Sequence, residues 1–265
     1  PALRALGEGK CEKVFYLTAK AATRREAYQA SAQLFEAGSR HRTVVLTARE
    51  QVCVNKEAKE DPADISRHCN PQDCPRARDF YEKAPLAICE ILKRQSGYSR
   101  AVVEEIAAKY NVCPYELQLE LSEFCDVIIC DYNYVFDPQV HLQRYFGEDV
   151  PAGKYAVLVD EAHNLPDRAR GMFSASLKCS DFYPALEVLP PESGLRDHLC
   201  SLLELMQSYR GLCRDTLQTD GEGIERGYDL NHGAMESFHS SVRKLRPVLD
   251  AWMRTHRGEI GESEI

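Results

Sequence analysis

Short runs of consecutive apolar residues punctuate the first two thirds of the chain, and their spacing predicts an α/β fold. Val14-Phe-Tyr-Leu-Thr18 and Thr43-Val-Val-Leu-Thr47 are strand-sized and rich in β-branched and aromatic residues. Between them, Thr23-Arg-Arg-Glu26 has the spacing of a capping box, so a helix is expected from there to Ala37, stopped by Gly38. Strand, helix, strand in so short a span predicts a βαβ unit and a parallel sheet. Asp126-Val-Ile-Ile-Cys130 and Tyr155-Ala-Val-Leu-Val159 predict two further all-apolar strands. From Gln51 to Val112 the strand pattern is missing, and a helix is expected over Ser99–Tyr110 with Val102, Val103, Ile106 and Ala107 on one face. This stretch therefore reads as an insertion into the α/β domain. From Cys179 onward the pattern is helical, over Leu195–Leu212 and Gly233–Trp252, with a loop at Thr219-Asp-Gly-Glu-Gly223 between them.

Composition narrows the class. The 265 residues are 44% hydrophobic and 28% charged, an ordinary globular balance. The length gives a prior near two domains. No apolar run approaches the roughly 20 residues of a membrane span, and the N-terminus has no secretory pattern, so no membrane partner is expected. Lys+Arg number 33 against 41 Asp+Glu, a net charge of −8. That excludes a uniformly basic nucleic-acid coat and leaves room for a locally basic groove. The chain starts at Pro1 and ends in Gly-Glu-Ser-Glu-Ile, and an internal piece of a longer protein is expected.

Eleven cysteines without an export signal are poor evidence for a disulfide scaffold. Cys53, Cys69, Cys74 and Cys113 are separated by fifteen, four and thirty-eight residues. Four thiolates in a loop-rich stretch suit tetrahedral zinc or an iron–sulfur cluster, and the lack of paired Cys-x2-Cys knuckles favours the cluster. Cys74 and Cys113 are each followed by Pro, which is expected to stop the local helix. Cys89 is a possible replacement ligand; the remaining cysteines read as packing residues.

The strand ending at Val159 would deliver Asp160 and Glu161 to the carboxyl end of the sheet, where open α/β folds bind ligands. An Asp there can hold Mg²⁺ and an adjacent Glu can orient or deprotonate water. The alternative is an acidic helix start that favours the helix dipole. The tetrapeptide Asp160-Glu161-Ala162-His163 resembles the motif II box of DEAH helicases, which implies that His163 helps couple nucleotide state to DNA binding.

Val52-Cys53-Val-Asn-Lys-Glu57, Cys113-Pro-Tyr-Glu116, Asp126-Val-Ile-Ile-Cys-Asp-Tyr-Asn-Tyr-Val-Phe-Asp-Pro138 and the motif II box occur in that order. Together they resemble the XPD/DinG family of iron–sulfur DNA helicases, and Phe15-Tyr-Leu-Thr-Ala-Lys20 resembles its motif Ia. The resemblance implies a partial RecA-like P-loop motor domain at 1–50 and 114–178, an iron–sulfur insertion at 51–113 and a helical arch at 179–265. It also implies a [4Fe–4S] cluster on Cys53, Cys69, Cys74 and Cys113, Mg²⁺ and ATP at Asp160, Glu161 and His163, and 5′-to-3′ unwinding of single-stranded and forked DNA. The setting it implies is cytoplasmic, nucleoid-associated DNA metabolism of the bacterial type.

A strand-gripping protein holds the phosphodiester backbone and stacks bases. Expected contacts are Thr18, Lys20, Thr23 and Arg24 after the first strand, Thr47 and Arg49 after the second, and Asn133 and Tyr134. Tyr132, Tyr134 and Phe136 alternate with other residues as in a core strand. No Gly-x-x-x-x-Gly-Lys-Ser/Thr loop occurs, so the polypeptide is not expected to hydrolyse ATP alone. Two other readings stay open: a non-enzymatic DNA-binding metal sensor, with a helix-turn-helix over Ser99–Gln118, and a degenerate motor serving as an interaction module.

Overall fold

The computed structural model describes residues 1–60, 68–94, 97–219, 225–228 and 235–256. Five strands form one sheet: β1 (Lys13–Leu17), β2 (Thr43–Val45), β3 (Gly97–Tyr98), β4 (Val127–Cys130) and β5 (Tyr155–Val159). Their order is β3-β2-β4-β1-β5 and every neighbouring pair is parallel. This is the expected α/β parallel-sheet fold. All strand ends that follow an apolar run therefore meet on one edge of the sheet.

Alternation along the strands sorts the side chains onto two faces. Phe15, Leu17, Val44, Ile128 and Cys130 join the larger core. Val14, Val45, Val127 and Ile129 join a smaller one with Ala27 and Tyr28 of helix Ala21–Glu36. The larger core is roofed by helices Phe80–Lys93, Arg100–Tyr110 and Pro114–Ser122, through Ile88, Ile91, Ile106, Leu117 and Leu121. The cysteine-rich stretch thus supplies two of the three helices that cover one face of the sheet. It also supplies β3, whose Gly97 and Tyr98 pair with Thr43 and Val44. Two residues are too short to leave an apolar run, which is why no strand was expected there.

Local signals held to different degrees. Ser99 caps helix Arg100–Tyr110, accepting from the Val102 N–H at 3.5 Å. Gly38, with φ +103°, follows helix Ala21–Glu36, where Gly38 and Ser39 donate to the carbonyls of Phe35 and Leu34. The capping box fails. That helix starts at Ala21, and the Thr23 hydroxyl donates to the Lys20 carbonyl at 3.0 Å instead of capping. The prolines after Cys74 and Cys113 open helical segments at Pro75 and Pro114 and do not close them; the first turn has no use for the missing N–H. The expected alternating strand over Tyr132–Phe136 is a helical turn, Asn133–Phe136.

The buried Gln118 ties the helix Pro114–Ser122 to the end of β2. Its side chain accepts from the Thr47 N–H at 2.9 Å and donates to the Thr47 carbonyl at 2.6 Å. Gln118→Leu leaves that N–H without a partner, while Tyr134 still donates to the carbonyl at 3.2 Å. We expect a loss of about 2 kcal/mol in urea denaturation; a change under about 0.5 kcal/mol would show that the pair does not brace the loop.

The chain divides into two compact units, 1–174 and 175–265. The second is helical, with helices Phe182–Val188, Gly194–Tyr209 and Glu236–Thr255. Phe182, Leu202 and Leu203 form its core. Of the loop expected at 219–223, residues 220–223 lie outside the described residues. No helix among the described residues is long and apolar enough to cross a membrane.

Candidate functional site: two adjoining cavities at the carboxyl edge of the sheet

Cys53, Cys69, Cys74 and Cys113 line one cavity of about 240 Å³. They arrive from separate segments. Cys53 ends the turn Arg49–Val52, Cys74 precedes Pro75, and Cys113 precedes Pro114. The Cys113 N–H donates to the Arg76 carbonyl, and the Arg76 guanidinium reaches the carbonyls of Ala107 and Val112, which joins two of these segments. His68 and Glu116 share the lining. Cys89 is exposed and lines no part of it.

The thiols sense one another. Burial pushes Cys69 up, the nearby Arg49 opposes this, and Cys74 and Cys53 add to it. Burial pushes Cys113 up to about 11, against the backbone N–H groups of Glu116 and Tyr115, which favour its thiolate. Such N–H groups at a helix start also suit a ligated sulfur. Among the described residues, no group of three or more His, Cys, Asp or Glu side chains converges closely enough to hold a metal ion.

A second cavity, of about 520 Å³, adjoins the first; Arg49 and Tyr115 line both. The Arg49 guanidinium stacks over the Tyr115 ring at 4.8 Å. Arg24, Asp131, Asn133 and Tyr134 complete its wall. Arg24 lies 3.7 Å from Asp131, and its Nε is buried without a hydrogen-bond partner among the described residues. Four of the expected DNA contacts, Arg24, Arg49, Asn133 and Tyr134, therefore share one groove. Lys20 is exposed and Thr23 half-buried outside its lining. Thr18 and Thr47 are buried; the Thr18 hydroxyl donates to the Lys20 carbonyl at 3.2 Å. Tyr134 is buried too, and its hydroxyl donates to Thr47.

Asp160 and Glu161 stand at the end of β5, on the same sheet edge. The Asp160 N–H continues the ladder to the Leu17 carbonyl at 2.9 Å. Glu161 is exposed with φ +50°, in the left-handed region, and His163 Nδ1 lies 3.4 Å from its carboxylate. A short 3-10 turn, Ala162–Asn164, then leads into helix Leu165–Met172. Sequence reasoning missed Tyr115, Gln118 and Tyr132. Each acts through contacts with residues distant in the chain; only the aromatic richness around Tyr132 was a signal.

An acidic pair thus stands at the carboxyl edge of a parallel sheet, and four cysteines line a cavity on the unit that carries it. The DEAD_2 family matches residues 21–182, more than half of the chain. The chain belongs to that family. It is 27% identical over 172 residues to the regulator of telomere elongation helicase 1 of Bos taurus, covering 63% of this chain and 14% of that protein. The Homo sapiens protein of the same name is 27% identical over 155 residues, covering 57% and 12%, and the Culex quinquefasciatus homologue 27% over 145 residues, covering 53% and 14%. The chain thus spans about one seventh of the length of these relatives. Among solved structures it is similar to a truncated XPD, with 18% identity, a TM-score of 0.35 and coverage of 94% of this chain and 75% of that one. An XPD helicase gives 18% identity and a TM-score of 0.36, covering 94% and 47%.

Proposed function

We propose that this chain is the cluster-bearing part of an ATP-dependent DNA helicase, a protein of DNA repair that moves 5′ to 3′ on single-stranded DNA and opens forks. The observation that carries the reading is the adjacency of the two cavities. Four cysteines surround one, basic and aromatic side chains line the other, and Arg49 with Tyr115 forms the wall between them. Four soft sulfur donors around one cavity, without paired Cys-x2-Cys knuckles, suit a [4Fe–4S] group. Cys53, Cys69, Cys74 and Cys113 would hold it. Bound there, the cluster supplies cross-linking of segments that are far apart in sequence.

The groove suits a phosphodiester strand. The orphan Nε of Arg24 needs an acceptor, and a phosphate oxygen provides one. Tyr115 and Arg49 offer planar faces to bases. Asp160 would hold Mg²⁺ of a bound nucleotide, Glu161 would orient and deprotonate water, and His163 would bind Glu161 in one nucleotide state. The phosphate-cradling loop would come from the rest of the longer protein, in a cytoplasmic or nucleoid-associated setting.

Fluorescence anisotropy with a labelled single-stranded oligonucleotide tests the groove. Arg24→Gln is expected to weaken binding about tenfold across sequences and to reduce the salt slope by about one. Unchanged affinity and slope would remove the groove from the DNA path.

A further inference from the structure

Four consecutive residues after β4 touch both the groove and the acidic pair. Asn133 and Tyr134 line the groove. Asp131 faces it and holds two arginines, Arg24 at 3.7 Å and Arg168 at 3.1 Å. Arg24 belongs to the groove, and Arg168 to the helix that follows the acidic pair. Tyr132, fully buried, points the other way. Its hydroxyl donates to the Asp160 carbonyl and lies 3.2 Å from the Glu161 carbonyl.

We propose that Asp131 and Tyr132 form a positioning relay, through which a strand in the groove alters the backbone of Asp160 and Glu161. The proposal rests on the helicase reading above and names how its two sites communicate. The physical steps are short. A phosphate beside Arg24 competes with Asp131 for the guanidinium, and the Arg24–Asp131 pair is the longer of the two. Asp131 then leans toward Arg168, which sits in the first turn of the helix that follows the acidic pair. Any shift of the Asp131–Tyr132 peptide is carried by a rigid ring to the two carbonyls. Those carbonyls flank the one non-glycine residue of the sheet edge in a left-handed conformation, Glu161. A residue held in that sparsely populated region responds to small changes in its supports. Tyr132 touches neither nucleotide nor strand in this scheme, so it is a positioning residue.

Tyr132→Phe removes the hydroxyl and keeps the ring. Two measurements test the relay. In the 265-residue chain, addition of oligothymidine is expected to shift the amide resonances of Asp160 and Glu161 in the wild type, and not in Tyr132→Phe, with equal oligothymidine affinity in both. Equal shifts in both proteins would overturn the relay, as would no shift in the wild type despite binding. In the full-length helicase, Tyr132→Phe is expected to lower the DNA-stimulated kcat for ATP about tenfold, with the KM for ATP and DNA affinity within about twofold and the thermal midpoint nearly unchanged. A kcat within twofold of wild type, or a parallel loss of DNA affinity, would overturn it. Absence of turnover in the wild-type full-length protein would overturn the helicase reading itself. The resonance experiment needs no hydrolysis, so the two failures are distinguishable.

Discussion

Cys113→Ser is expected to strip the chain of its iron. Anaerobically purified wild type should be brown, with about four irons and four acid-labile sulfides per chain, and the variant should fall below about one iron and lose the colour. Cys113 is the most consequential of the four positions. It opens the helix Pro114–Ser122, whose Leu117 and Leu121 sit fully buried in the main core, and its N–H is tied to Arg76. Loss of the ligand therefore loosens a layer of the fold as well as the cavity. Metal-binding free energy at such a site is folding free energy, so the thermal midpoint should fall by about 10 °C or more. Cys89→Ser is the matched control: Cys89 is exposed and outside the cavity, so iron and midpoint should stay at wild-type values. Iron retained in Cys113→Ser would remove that residue from the ligand set. One tetrahedral zinc per wild-type chain, without colour, would favour the metal-sensor reading instead.

The parts of this fold that were legible in the sequence are those built by local rules. Strands inside a parallel sheet are apolar on both faces, so β1, β2 and β4 announce themselves as short continuous runs; β5 carries the same apolar run but lies at the sheet edge, with Val157 and Leu158 exposed. Because every neighbouring pair in the five-stranded sheet is parallel, placing Asp160, Thr47 and Asp131 after such runs already puts them on one edge. Ser99 and Gly38 act within a few residues of themselves and were equally readable. What was not readable depends on partners far away in the chain. The two-residue β3 exists because β2 offers it a ladder, and its own sequence gives no sign. Thr23 has the right spacing for a cap, but the chain is already helical at Ala21. Tyr132, Tyr134 and Phe136 alternate like a strand, yet the turn they occupy aims Tyr132 at β5 and Tyr134 at the end of β2. Of the site, the acidic pair stood out by its place after an apolar run, and the four cysteines by the family resemblance, since spacing alone left Cys89 as an alternative. Neither signal could reveal that Arg49 lines two cavities, or that Thr18 and Thr47 are buried, with the Thr18 hydroxyl spent on the Lys20 carbonyl and the Thr47 backbone held by Gln118 and Tyr134.

Glu161→Gln should abolish turnover in the full-length helicase and leave its fold intact. The carboxylate is exposed at the end of β5, so no packing is lost when an amide of the same shape replaces it. If Glu161 deprotonates the attacking water, DNA-stimulated ATP hydrolysis should fall by about 10²- to 10⁴-fold, with the KM for ATP within about twofold, because Asp160 and not Glu161 would carry Mg²⁺. A drop in kcat of less than about tenfold would assign the base elsewhere. Glu161→Gly separates chemistry from strain. A side chain at φ +50° costs about 1–2 kcal/mol relative to the right-handed helical region, and glycine occupies that conformation freely. Part of that relief is offset by the greater freedom of glycine in the unfolded chain. The glycine variant should therefore be as inactive as the glutamine variant and up to about 1 kcal/mol more stable than wild type. A residue kept where it strains the backbone, and whose removal stabilises the fold while ending turnover, is held there for its carboxylate. If Glu161→Gly were instead less stable than wild type, the carboxylate and its contact with His163 would be structural, and the left-handed turn would owe nothing to catalysis.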